Sequence, residues 1–115
     1  MTPSHDTAER ARLALKRPDL LREAAWIDGV WVTGPESIAV ANPATGRVLG
    51  HVPSLGEAET LTAVSAAKAA QPGWAARAAK ERAAILRRWF ELIMAHRDDL
   101  ARLMTAEQGK PLAEA

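Results

Sequence analysis

The spacing of apolar positions changes three times along the chain. Over the first 17 residues bulky apolar side chains are sparse, with Leu13 and Leu15 the only anchors. Asp6 followed by Glu9 has the spacing of a helix-capping pair, so this stretch reads as a tail or a short frayed helix. Pro18 opens a short segment through Arg22, and proline suits a first helical turn because its missing N–H would be unpaired there. From Ala25 the residues become β-branched and aromatic. Trp26-Ile27-Asp28-Gly29-Val30-Trp31-Val32 places an Asp-Gly pair between strand-forming runs, which predicts a tight β-hairpin packed by Trp26 and Trp31. Ile38 and Val40 then alternate with small or polar residues. Asn42-Pro43-Ala44-Thr45-Gly46 supplies turn chemistry, and strands are expected over 37–41 and 47–53.

Beyond Pro53 the period becomes helical. Ser54 and Glu57 have capping-box spacing, and Ala58, Leu61 and Val64 share a face of an Ala-rich helix expected to stop at Pro72-Gly73. A second helix is expected from Ala79 or Lys80. Ile85, Leu86, Trp89, Leu92, Ile93 and His96 form its apolar stripe, which turns Trp89 toward a core. Asp98 is expected to cap a restarted helix carrying Leu100, Leu103 and Met104. Gly109 should end that helix and Pro111 begin another. This gives three regions: a tail over residues 1–22, β-hairpins over 23–53, and helices over 54–115.

Composition narrows what such a chain can do. Of its 115 residues 48% are hydrophobic, but 25 are alanine. Alanine favours helix yet buries little area, so a self-sufficient core is marginal. A lone two-stranded hairpin is marginal too. The net charge of +1 argues against nucleic-acid binding through bulk charge. There is no cysteine, hence no disulfide, thiolate metal site or cysteine nucleophile in this chain. No apolar run is long enough to span a membrane. Asp6 and Glu9 interrupt the basic residues near the N-terminus and no apolar signal core follows, which predicts a cytoplasmic protein.

Chemistry-bearing clusters are few. His5, His51 and His96 lack partners at metal-ligand spacing, so structural roles are expected and no metal site is assigned. Asp98 and Asp99 are adjacent. Neighbours on a helix point about 100° apart, which suits capping better than acid–base catalysis. Glu107-Gln108-Gly109-Lys110-Pro111 holds a Gly-Lys pair without the rest of a phosphate-binding loop. Arg87-Arg88-Trp89-Phe90 mixes cations and rings, but helical spacing accounts for it with the arginines facing water or an acidic partner.

In this order, Trp26-Ile27-Asp28-Gly29-Val30-Trp31, Asn42-Pro43-Ala44-Thr45-Gly46, Leu49-Gly50-His51-Val52-Pro53, residues 82–89 with Leu92, and residues 98–115 through Glu107-Gln108-Gly109-Lys110-Pro111 resemble the N-terminal quarter of the aldehyde dehydrogenase superfamily. Residues 98–115 are the most specific and look like its succinate-semialdehyde dehydrogenase branch. The resemblance covers residues 20–115. It implies an α/β family fold, of which this chain is a mainly α-helical, incomplete part of the cofactor-binding domain with N-terminal β-hairpins.

It also implies NAD- or NADP-dependent oxidation of an aldehyde, succinate semialdehyde to succinate, in the intact enzyme. In that family a cysteine thiolate attacks the aldehyde and hydride passes to nicotinamide. A glutamate then activates water, while an asparagine and a backbone N–H hold the oxyanion. All these groups lie downstream of Ala115, so no catalytic or cofactor-binding residue is assigned here. A truncated chain is expected to be inactive alone. Its expected partner is the remainder of the dehydrogenase polypeptide, within a homo-oligomer. The alternative is a small stand-alone helical interaction module without catalytic activity.

Overall fold

A computed structural model describes residues 5–115, with side chains from Thr7 onward. Helix α1 spans His5–Arg12, and a 3-10 turn covers Pro18–Leu20. Strands β1 (Ala25–Ile27), β2 (Val30–Val32), β3 (Ser37–Ala41) and β4 (Val48–Pro53) follow. Helices α2 (Glu57–Ala76), α3 (Ala79–Ala95) and α4 (Arg97–Gln108) complete the order.

The strands form two separate antiparallel pairs, β1 with β2 and β3 with β4. In the first, Ile27 opposes Val30 across Asp28 and Gly29, and both turn residues have positive φ, 51° and 75°. This is the two-residue turn whose twist suits a hairpin. Trp26 opposes Trp31, and the rings meet edge to face with centroids 4.9 Å apart. In the second pair Val40 opposes Gly50 and Ala41 opposes Val48, so Leu49 sits at a bulge.

Several expected boundaries move. Helix α2 continues through Pro72 to Ala76. Proline removes the N–H that would bond to the Lys68 carbonyl, but the alanines on either side are the strongest helix formers. The helix ends where Arg77 and Ala78 turn extended, with ψ of 147° and 144°. The capping pair lies two residues later than expected: Glu59 Oε2 accepts the Gly56 N–H at 3.0 Å. Ser54 is taken up by the sheet instead, its N–H donating to the Glu36 carbonyl at 2.9 Å. Asp98 does not cap α4. His96 stands between the helices, its N–H shared by the Leu92 and Ile93 carbonyls at 3.2 Å, so α4 starts at Arg97. Pro111 begins a single turn, its carbonyl accepting the N–H groups of Glu114 and Ala115, in place of the expected helix. Gly109 ends α4 as expected, in the left-handed conformation with φ of 83°. The capping expectation for Asp6 lies outside the described side chains.

The core is small and off-centre. Leu49, 2% exposed, is the largest fully buried side chain among the described residues, and Ala106 on α4 is its buried apolar companion. Neither α2 nor α3 buries a residue. The surface area is 8772 Å², against about 6,100 Å² for a folded monomer of this mass. The radius of gyration is 17.3 Å, against about 13 Å for a closed domain of this length.

Candidate functional site

Two surfaces stand out, one held by polar side chains and the other left open. The first lies where α1 and the segment after it meet β4 and α4. Arg10 Nε donates to the Leu49 carbonyl at 2.7 Å, and its guanidinium pairs with the Glu23 carboxylate. Glu23 Oε2 in turn accepts the His51 N–H at 3.1 Å. Gly50 lies beneath this pair, where an added Cβ would come within 3.1 Å of Arg10 Nη2. Glu9, 4% exposed, faces Arg12 at 3.3 Å and Arg47 at 3.8 Å.

On the other side of the same segment, Asp99 is 4% exposed. Its two oxygens accept the consecutive N–H groups of Lys16 and Arg17 at 3.0 and 2.9 Å. Those two bonds hold its carboxyl below the usual carboxylate range. Arg102 Nη1 donates to the Leu13 and Ala14 carbonyls at 3.3 and 2.9 Å. Residues 13–17 are thus tied to one face of α4 by a buried anion and a cation. Ala14 takes the left-handed region there, with φ of 49°.

The second surface is apolar. Ile85, Leu86, Trp89, Phe90, Leu92, Ile93 and Met94 on α3, with Leu61, Val64 and Trp74 on α2, are all large and exposed. Trp89 is 64% exposed. The stripe forms as its spacing required, but Trp89 faces outward, because among the described residues no element lies over that side of α3. A run of exposed apolar side chains along one helix of a soluble protein marks a binding surface.

The remaining expected positions stay apart. His51 lies on β4, and His96 at the α3–α4 junction has Nε2 at 3.5 Å from Arg17 Nη1. The side chain of His5 lies outside those described. Among the described residues no group of three or more His, Cys, Asp or Glu could hold a metal ion, and no helix is long and apolar enough to cross a membrane. Asp98 is exposed beside Arg97 while Asp99 is buried, so the two carboxylates do not converge. Glu107–Pro111 sits at the C-terminal end of α4, and the Gly109 N–H is spent on the Thr105 carbonyl. That is the negative end of the helix dipole, opposite to what a dinucleotide phosphate needs. These residues do not fit NAD or NADP. Arg87 lies over the ring of Phe90 and pairs with Glu91 at 3.3 Å.

The sequence assigned no site role to Arg10, Glu23 or Arg102, and gave Glu9 and Asp99 only local capping roles. One signal was available: a glycine inside a strand marks close approach by another group, which at Gly50 is the Arg10–Glu23 pair.

Comparison with known proteins is consistent across sequence and structure. The model for the aldehyde dehydrogenase family matches residues 31–115. Glutarate-semialdehyde dehydrogenase of Pseudomonas putida (strain KT2440) is 56% identical over 90% of this chain and 22% of its own length. The NADP(+) succinate-semialdehyde dehydrogenase of Escherichia coli (strain K12) is 55% identical with the same coverage. The crystal structure of an aldehyde dehydrogenase from Brucella melitensis biovar abortus 2308 superposes with a TM-score of 0.85 at 52% identity, over 88% of this chain and 21% of that one. The chain therefore spans about a fifth of the length of these relatives. On the family match, the identity and the shared fold together, this chain belongs to the aldehyde dehydrogenase family.

Proposed function

We propose that this chain forms a non-catalytic N-terminal layer of an NAD- or NADP-dependent semialdehyde dehydrogenase. The intact enzyme would oxidise the semialdehyde of a short dicarboxylic acid, succinate semialdehyde first among them, in the cytoplasm and as a homo-oligomer. The remainder of the enzyme would hold the nicotinamide cofactor, which would supply the hydride acceptor. No residue of this chain is assigned to catalysis, cofactor or metal. Its role is to cover and brace the remaining polypeptide.

The observation that carries this reading is the open face of α3. Seven large apolar side chains stand exposed there, in a chain about half identical to one fifth of each relative. Relatives named for glutarate and succinate semialdehyde match equally well, which supports the substrate class and leaves its chain length to measurement.

Complementation tests the reading. The chain is co-expressed with the Escherichia coli relative lacking its matching N-terminal fifth, and reduced cofactor is followed with succinate semialdehyde. Turnover is expected from the mixture and from neither piece alone. A soluble but silent mixture would refute the assembly, and turnover by this chain alone would refute its non-catalytic role.

A further inference from the structure

The polar surface on β4 points to a masked join between two copies of this chain, a reading independent of any dehydrogenase activity. Sheet edges expose unpaired N–H and C=O groups, and proteins commonly blunt them with charged residues on the edge strand itself. Strand β4, Val48-Leu49-Gly50-His51-Val52-Pro53, carries no Asp, Glu, Lys or Arg. Its partner β3 lies on one side only. The Leu49 carbonyl and the His51 N–H are taken up by Arg10 and Glu23 from outside the sheet. One donor and one acceptor, joined as an ion pair, stand where a neighbouring strand would present its own. Gly50 between them lets the pair lie flat, since a Cβ there would crowd Arg10 Nη2 at 3.1 Å and the Glu23 carboxyl carbon at 3.4 Å.

The covered groups are self-complementary. If two β4 strands met antiparallel about a two-fold axis at Gly50, Leu49 of each would oppose His51 of the other. The Leu49 carbonyl of each copy would then accept the His51 N–H of the other, giving about two bonds in the join. The arrangement is isologous, as a closed dimer requires. We propose that the Arg10–Glu23 pair masks this edge and that releasing it lets a second copy of the chain add through β4. Residues 5–23 are the mask, and Asp99 and Arg102 anchor them from the α4 side.

The test compares the full chain with Glu23→Ala, reading His51 amide exchange and sedimentation across protein concentration. The unsubstituted chain is expected to show a protected His51 amide that ignores concentration. At low concentration Glu23→Ala should speed its exchange about tenfold, the factor for losing one charge-assisted hydrogen bond. At high concentration protection should return as a dimer forms. Association through the open α3 face would leave the His51 amide indifferent to concentration in both proteins, and that result overturns the proposal. So does an unprotected His51 in the unsubstituted chain. Should Glu23→Ala fail to fold, Glu23→Gln keeps an acceptor for the His51 N–H but removes the ion pair. It should show the same concentration dependence with a smaller starting change, and exchange equal to the unsubstituted chain at every concentration refutes the masking.

Discussion

The half of the molecule built from α1, β3, β4 and α4 closes on itself, while the half built from α2 and α3 does not. The first holds the buried residues Glu9, Leu49, Asp99 and Ala106, and the ties from Arg10, Glu23 and Arg102 that lock them in. The second carries more apolar side chains than the first and buries none of them. Hydrophobicity alone therefore does not decide what is inside. An apolar stripe is buried only if some other element is positioned to cover it, and here polar ties position α1 while none of the described residues covers α3.

The largest expected effect lies in the closed half. Leu49→Ala removes most of its fully buried volume and should cost about 2–5 kcal/mol, read as a lower urea midpoint. A small change there would mean that the polar ties, not Leu49, hold the two elements together.

An intermediate effect belongs to Asp99. Its folded pKa is depressed by the Lys16 and Arg17 N–H groups, so its contribution is complete above the unfolded value of about 3.9. It fades as pH falls through the lower folded value. Asp99→Asn should make exchange at the Lys16 and Arg17 amides faster at neutral pH and remove this acid dependence. Equal exchange in both proteins at pH 7 would show that the segment is held by α1 alone.

The smallest expected effect on the chain itself is at the open face. Trp89→Ser should change its stability by less than about 0.5 kcal/mol, as exposed positions do, yet weaken complementation with the truncated relative. Equal loss in both assays would place Trp89 in a core and erase the contrast between the halves.

The same contrast explains what could be read beforehand. The hairpin at Asp28-Gly29, the turn at Asn42-Pro43 and the cap at Gly109 follow from local backbone chemistry, so a few neighbouring residues suffice to predict them. The α3 stripe was equally legible, but its spacing says which residues share a face and not whether that face is covered. Trp89 was turned inward on that account. Pro72 and Gly73 read as a stop, yet the helix runs on to Ala76 because the alanine propensity on both sides outweighs one lost N–H. The Asp99 contacts join residues 82 and 83 positions apart, and no local pattern announces a pairing across that separation.

That separation orders events during synthesis. Arg10 meets Leu49 after 39 further residues have been made, whereas Lys16 waits 83 for Asp99. At ribosomal speeds of about 5–20 residues per second, the second interval is roughly 4–17 s. For that time the amides of Lys16 and Arg17 wait for their acceptor, and the segment after the first helix stays unanchored while Arg10 can already reach Leu49.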